Sequence, residues 1–313
     1  MRICILGAGA LGSAIGGTLA EAGHDVTLVN RNREHVDAIR AHGLRLRTDG
    51  ADRHVRLAAV TATDGMAPVD LVIVLVKSLD TEPAITAART IIGQDTIVIS
   101  LQNGLGQEEV LARLVGKDRV LAGKTYAGGV MLGPGHVISG TNGKETIIGE
   151  LDGAMSARVV RLAKILTEAG LVTQASPNIV GAMWDKLLVN IATGALAGIT
   201  GLTYGELYSV PDLETTAIAA VSEAMAVAQA MGIALETKDP RAPWVKAAAG
   251  LPPEFKTSML QSLEKGALTE IDFINGSVVR AGQHVNIPTP VNATLVALIK
   301  GVERKRVLPR KGL

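Results

Sequence analysis

ICILGAGALG, residues 3–12, joins an apolar run to three glycines spaced as G-x-G-x-x-G. Residues 3–6 are apolar and partly β-branched, which predicts a buried strand, and residues 10–22 predict the helix that follows it. Residues 26–29 predict a second strand. The order of strand, glycine-rich turn, helix and strand is typical of a dinucleotide-binding fold.

The glycine loop is the predicted contact with the cofactor pyrophosphate, through Gly7, Ala8, Gly9, Ala10, Leu11 and Gly12. The first glycine permits the tight turn, the second lets the backbone approach phosphate, and the third lets helix and strand pack closely. Unpaired N–H groups and the helix dipole attract the anion. A glycine-rich turn without a ligand is the alternative.

Strand and helix patterns continue to alternate through the first half of the chain. Strands are predicted at residues 71–76, 97–101 and 171–174, and helices at residues 33–42, 80–92 and 156–169. Residues 125–150, interrupted by Gly-Pro-Gly and a polar turn, predict a small antiparallel extension. The alternation indicates a doubly wound α/β fold with a parallel sheet, a Rossmann-type domain over residues 1–176.

The second half has few strand signals. Long helical patterns cover residues 177–197, 212–231, 256–265 and 269–283. A length of 313 residues also favours two domains. We therefore expect an all-α domain over residues 177–313, which would carry the substrate and the catalytic groups.

Polar residues at the strand ends predict how the nucleotide is held. Asn30 and Arg31 stand at the tip of the second strand, where an acidic residue would bind the ribose of NAD(H). Arg31 can pair with a 2′-phosphate, which favours NADP(H); a solvated surface arginine is the alternative. Lys77 and Asn103 follow the next two predicted strands, at the edge where ligands bind, although Asn103 could merely cap an Asn-Gly turn.

Composition excludes several classes of partner. Lys and Arg number 31 against 30 for Asp and Glu, so we expect neither nucleic acid nor membrane binding. Cys4 is the only cysteine and the six histidines show no ligand pairing, so no metal site is predicted. A reducing cytoplasm fits. Residues 2–20 could be mistaken for a secretory signal, but their glycines interrupt the apolar run. No other stretch approaches the length of an uncharged membrane span.

The candidate catalytic residue is a lysine within a predicted apolar helix. Lys186 and Asn190 are four residues apart and project from one helical face. A lysine there is costly unless it is paired or functional, as with a neighbouring carboxylate and a bound carbonyl oxygen. A surface lysine with its charged end in water is the alternative.

Seven short segments together resemble the ketopantoate reductase family, in order along nearly the whole chain. They are residues 7–12, Asn30-Arg31, Val76-Lys77-Ser78, Leu101-Gln102-Asn103-Gly104, Trp184-Asp185-Lys186 with Asn190, Ser258-Met259-Leu260-Gln261 and Thr269-Glu270-Ile271-Asp272. The resemblance implies NADPH-dependent reduction of 2-dehydropantoate to pantoate in pantothenate biosynthesis, and a homodimer. It assigns Lys186 as general acid, Glu270 as the residue that orients it, and Asn103, Asn190 and Ser258 as ligands of the substrate oxygens.

Three departures from this family bear on the substrate. Gly194 and Tyr204 stand where further asparagines are typical, and Ser262 stands where the family tends to have Asp. Loss of designed polar contacts can change specificity by orders of magnitude. A different keto acid or ketone is therefore an alternative substrate. Two further alternatives are a β-hydroxyacid dehydrogenase, which shares a Rossmann half, a helical half and a lysine-asparagine helix, and an NADPH sensor without turnover.

Overall fold

The computed structural model describes residues 1–306, which form two compact units. Unit 1 contains residues 1–102 and 107–179. Unit 2 contains the chain from Val180 onward together with the short segment Asn103–Gly106. The short segment Asn103–Gly106 therefore belongs with the helical unit, although the chain on either side of it belongs to unit 1.

Unit 1 contains all twelve strands of the described chain. They are β1 (Arg2–Leu6), β2 (Asp25–Val29), β3 (Leu44–Thr48), β4 (Ala51–Val55), β5 (Ala58–Val60), β6 (Val69–Val74), β7 (Ile92–Ser100), β8 (Val120–Thr125), β9 (Gly128–Gly133), β10 (His136–Gly140), β11 (Thr146–Gly149) and β12 (Thr173–Ala175). Eight of them form the main sheet, in the order β12-β11-β8-β7-β6-β1-β2-β5.

The main sheet has a Rossmann core. The strands β5-β2-β1-β6-β7-β8 are parallel and follow the 3-2-1-4-5-6 order of that fold. Alternate residues of β1 reach opposite cores: Ile3 and Ile5 join one apolar cluster, and Cys4 and Leu6 join the other. Burial on both faces explains why these strands read as continuous apolar runs. The predicted α/β class is confirmed.

The predicted antiparallel extension is only partly right. β9 and β10 do pair antiparallel, but β10 also pairs parallel with β3 in a separate four-stranded sheet, of order β4-β3-β10-β9. β8 lies parallel to β7 in the main sheet, and β11 pairs antiparallel with β8. The hairpin of β3 and β4 was missed, because its residues alternate between apolar and charged and lack a long apolar run.

The helices of unit 1 follow the strands. They are α1 (Ala10–Glu21), α2 (Arg33–His42), α3 (Thr81–Ala87), α4 (Gln107–Val115) and α5 (Ala157–Glu168), with 3-10 turns at Ser78–Asp80, Arg89–Ile91 and Lys117–Arg119. The helix predicted at residues 80–92 was too long, since only α3 is α-helical and a 3-10 turn flanks each side. The strand predicted at residues 71–76 ends earlier, at Val74, and α4 was missed.

The described part of unit 2 is helical throughout, as predicted. Its helices are α6 (Ile179–Thr200), α7 (Tyr204–Tyr208), α8 (Pro211–Ala230), α9 (Ala242–Ala248), α10 (Ser258–Glu264), α11 (Asn275–His284) and α12 (Pro290–Arg306), with a 3-10 turn at Ile271–Phe273. α7, α9 and α12 were missed. Residues 307–313 of the predicted helical domain lie outside the described chain.

One apolar helix of unit 2 carries two charged residues, Asp185 and Lys186, so it is not an uncharged stretch of membrane-spanning length. α6 is long and apolar enough to cross a membrane, with a mean hydropathy of 1.3 over an 18-residue window. However, 78% of that window is buried inside the protein, as in the core helix of a folded domain. Its residues Leu187, Leu188 and Ile191 belong to the apolar core of unit 2.

Candidate active site

The glycine loop has the geometry of a phosphate cradle. Gly7 has φ +103°, and a Cβ there would lie 2.3 Å from the backbone nitrogen of Val76, so no other residue fits. A Cβ on Gly9 would have no atom within 4 Å, so the loop is open at this point. Gly9 is the N-cap of α1 and gives no side-chain cap, which leaves first-turn N–H groups for an anion. These residues fit a dinucleotide pyrophosphate.

Asn30 supports this loop from β2. Its amide nitrogen donates to the carbonyl oxygen of Ala8 at 2.6 Å, and its amide oxygen accepts from the backbone N–H of Asn32 at 2.9 Å. Asn30 was predicted as a cofactor contact. The structure places its side chain in bonds within the protein that fix the loop.

Arg31 and Lys77 lie on the surface of unit 1. Arg31 donates to the carboxylate of Asp80 at 2.8 Å, and the Arg31 side chain is 82% exposed. Lys77 is exposed and precedes the 3-10 turn Ser78–Asp80. The ion pair joins the end of β2 to the segment after β6, so two predicted nucleotide segments are held together.

A buried polar network behind Lys77 was missed by the sequence analysis. The amide nitrogen of Gln102 donates to the carbonyl oxygen of Val76 and to the hydroxyl of Thr81, each at 2.8 Å. Thr81 in turn donates to the side chain of Gln107 at 2.7 Å. The only signal in the sequence was the position of Gln102 beside Asn103.

Lys186 and Asn103 meet within unit 2. The Nζ of Lys186 donates to the Oδ1 of Asn103 at 2.9 Å, although the two residues are 83 positions apart. Both side chains are half-buried. The lysine therefore has a fixed polar partner, which excludes the alternative of a purely surface lysine.

The Asn103 segment is docked on the turn that follows Glu270. Leu105 donates its N–H to the carbonyl oxygen of Phe273 at 3.0 Å. Gly104 has φ +87°, and a Cβ there would lie 2.4 Å from that same oxygen, so the close approach requires glycine. Phe273 itself donates its N–H to the carbonyl oxygen of Glu270 at 2.9 Å. The half-buried Glu270 thus begins the turn that supports Asn103.

Asn190 and Ser258 lie on two helices of the same unit. Asn190 is half-buried on α6, one turn after Lys186. Ser258 is exposed at the first position of α10, whose N-cap is Thr257. All five predicted catalytic and substrate residues therefore belong to unit 2, and one of them, Asn103, lies in the short segment that follows β7.

Two buried carboxylates position these elements, and neither was predicted in this role. Asp185 accepts from the backbone N–H groups of Glu236 and Thr237, each at 3.0 Å, and so anchors a loop beside Lys186. Glu303 accepts from both the N–H and the hydroxyl of Thr269 at 2.7 Å, next to Glu270. Partners this distant in sequence leave no local pattern.

Two of the three departures have apolar or uncharged neighbours, and the third is buried. A Cβ on Gly194 would meet only the Cε of Met259 within 4 Å, at 3.6 Å. The Tyr204 hydroxyl lies 3.4 Å from that of Thr193, and burial raises the pKa of Tyr204. The Tyr204 ring lies 6.1 Å from that of Tyr208 and 6.2 Å from that of Phe255. Ser262 is buried.

Solved structures share this architecture over the full chain. A PanE/ApbA family ketopantoate reductase from Ralstonia eutropha has a TM-score of 0.88 and 37% identity, covering 98% of this chain and 99% of that one. A D-mandelate dehydrogenase solved with NADH and anilino(oxo)acetate has a TM-score of 0.92 and 29% identity, covering 98% and 100%.

Sequence comparisons agree with the structural ones. The 2-dehydropantoate 2-reductase of Halobacterium salinarum is 37% identical, covering 97% of this chain and 99% of the relative. That of Archaeoglobus fulgidus is 36% identical, covering 96% and 98%. The N-terminal model of ketopantoate reductase PanE/ApbA matches residues 3–153, and its C-terminal model matches residues 178–303. The chain therefore belongs to the ketopantoate reductase PanE/ApbA family, a family of oxidoreductases.

Proposed function

We propose that this protein uses NADPH to reduce 2-dehydropantoate to pantoate, with Lys186 as the proton donor. The observation that carries the proposal is the bond of 2.9 Å between the Lys186 amine and the Asn103 amide oxygen. An uncharged acceptor positions the amine without taking its proton, so the amine can still act as an acid. Family membership supports a keto acid as the substrate.

The nucleotide is assigned to unit 1. The Gly7 to Gly12 loop would hold the pyrophosphate, and Arg31 would bind the 2′-phosphate that distinguishes NADP(H) from NAD(H). Because residue 30 is an asparagine, this position has no carboxylate that would repel the 2′-phosphate. The D-mandelate dehydrogenase solved with NADH supports a nicotinamide cofactor, and our preference for NADPH rests on Arg31. Lys77 would add a second cation for the phosphates or the ribose, and Asn103 would contact the nicotinamide or the substrate.

The reaction needs one proton and one hydride. A bound reduced nicotinamide supplies the hydride. Lys186 would donate a proton from Nζ to the carbonyl oxygen as negative charge develops there, which gives the hydroxy acid and leaves a neutral amine to be reprotonated from water. Glu270 would orient the lysine, and Asn190, Ser258 and Asn103 would bind the substrate oxygens. These roles follow the family motif.

A larger, aryl-substituted 2-keto acid is a second candidate substrate. Gly194 lies two turns beyond Lys186 on α6, where a Cβ would have only Met259 as a neighbour, and Tyr204 packs among aromatic rings. The positions thus offer no amide or carboxylate for the hydroxyls of pantoate. The similarity to a D-mandelate dehydrogenase supports the same class.

A substrate and cofactor screen tests both candidates. The purified chain is assayed by loss of NADPH or NADH absorbance with 2-dehydropantoate, phenylglyoxylate and small aliphatic 2-keto acids. We expect turnover with NADPH and 2-dehydropantoate. Preference for phenylglyoxylate would support the second candidate, and Gly194→Asn should then shift the preference toward 2-dehydropantoate. Tight NADPH binding without turnover of any keto acid would contradict the proposed enzymatic activity and indicate an NADPH sensor.

A further inference from the structure

A buried chain of hydrogen bonds runs behind the glycine loop. His35 on α2 is 2% exposed, and its Nδ1 accepts from the backbone N–H of Gly135 at 3.0 Å. Its Nε2 lies 3.1 Å from the hydroxyl of Ser13, and Ser13 donates to the carbonyl oxygen of Ala8 at 3.1 Å. The chain therefore connects the turn between β9 and β10 to the second residue of the loop.

The bonds define which atoms carry the protons. A ring nitrogen that accepts from an N–H has none of its own, so the proton of neutral His35 is on Nε2. Nε2 then donates to Ser13, whose own hydrogen goes to Ala8. Burial lowers the pKa of His35, which agrees with a neutral ring. Each donor in the chain has one acceptor.

The Ala8 carbonyl is held from two sides. It accepts from Ser13 at 3.1 Å and from Asn30 at 2.6 Å, and Ala8 is fully buried. Two donors saturate the two lone pairs of a carbonyl oxygen. With that oxygen fixed toward the interior, its negative dipole cannot turn toward a phosphate at the loop surface and repel it.

We propose that Ser13 and His35 are positioning residues for the dinucleotide phosphates, acting through the Ala8 carbonyl. The four-stranded sheet has a part in this, because Gly135 in its β9–β10 turn ends the chain of bonds. A Cβ on Gly135 would lie 2.9 Å from that of Ala38, so the turn packs directly on α2. The inference rests on nucleotide binding by the loop, as proposed above.

The test measures NADPH affinity separately from substrate affinity. Ser13→Ala and His35→Gln should each raise the Kd for NADPH about three- to tenfold, the loss expected for one hydrogen bond. The KM for the keto acid at saturating NADPH should stay unchanged. Both residues belong to one chain of hydrogen bonds. The double variant should therefore have a Kd for NADPH only slightly higher than that of either single variant. Thr18→Val is the matched control, since it removes a hydroxyl from the same helix away from the loop.

The outcomes separate positioning from packing. An unchanged Kd for NADPH in both variants, with a melting temperature lowered as in Thr18→Val, would overturn the inference. The inference would also be overturned if the double variant lost the sum of the NADPH binding free energies that the two single variants lose, since the residues would then act independently. Because the readout is binding of NADPH, it remains valid if the wild-type chain turns over none of the keto acids and the proposed reaction fails.

Discussion

Arg31 and Asp80 form an ion pair of 2.8 Å that joins the end of β2 to the turn after β6. The Arg31 side chain is 82% exposed and that of Asp80 is 34% exposed. Such exposed pairs contribute about 0–1 kcal/mol to stability. The pair therefore positions the guanidinium at little energetic cost, and its other N–H groups remain for a phosphate.

Arg31→Ala should change cofactor preference rather than turnover. We expect the Kd for NADPH to rise about tenfold or more, and that for NADH to change less than about threefold, because only NADPH has the 2′-phosphate to pair with arginine. Asp80→Asn keeps an oxygen that can accept from the guanidinium but removes a negative charge near the phosphate, so the Kd for NADPH should fall slightly. Arg89→Ala is the control, an exposed arginine of the same unit. Equal effects on the two cofactors would refute the phosphate role.

Lys186 variants test the proton donor. Lys186→Ala should lower kcat about a hundredfold or more, the scale of a lost general acid. Lys186→Arg keeps the charge but holds its proton too tightly to donate it, so it should be nearly as impaired. Asn103→Ala leaves the amine without its acceptor at 2.9 Å and should lower kcat about tenfold.

The exposed Lys305→Ala is the control for this series. Full activity of Lys186→Arg would show that charge alone suffices, and near-normal activity of Lys186→Ala would remove the lysine from the mechanism. The two results are distinguishable in one set of kinetic measurements.

The sequence could predict the Rossmann core because its signals are local. The apolar run of β1, the glycine spacing and the helical period of α1 lie within about twenty residues. The separate sheet could not be predicted in the same way, since β3 pairs with β10 about ninety residues later. The same limit holds in the site: the motif identifies Lys186 and Asn103, but their contact and the bond from Thr269 to Glu303 depend on packing.

Glu303 offers a test of long-range support for Glu270. Glu303→Ala leaves the buried N–H and hydroxyl of Thr269 without an acceptor and should lower the free energy of unfolding by about 1–3 kcal/mol. Glu303→Gln retains an oxygen that can accept both hydrogen bonds, so its free energy of unfolding should fall much less. Urea unfolding measures stability, and kcat should fall in the alanine variant as Glu270 is displaced.

The exposed Glu264→Ala is the stability control, as its pair with Lys256 lies on the surface. If Glu303→Ala matched Glu303→Gln in both stability and kcat, the carboxylate would have no part in holding the Thr269–Glu270 segment.

The buried His35 also predicts how stability depends on pH. Burial lowers its pKa from the ordinary value of 6.5, so the unfolded chain binds a proton that the folded chain does not. The contribution of His35 to the free energy of unfolding is fully present above about pH 6.5. It is lost as the pH falls toward the pKa of His35 in the folded protein. The melting temperature should therefore decline between about pH 7.5 and pH 5.5, and less steeply in His35→Gln.

The effect of His35 on the pH dependence of stability can be separated from that of the other groups with shifted pKa values. His24 also has a pKa lowered by burial, so His24→Gln provides the second arm and shows its share of the decline. The carboxyl groups with lowered pKa values, Asp52, Glu82, Glu150 and Glu206, lose their contribution only at lower pH, below their ordinary values of 3.8 to 4.5. An equal pH slope in wild type and His35→Gln would mean that His35 is not held neutral, and its bond from Gly135 would then have to be reassigned.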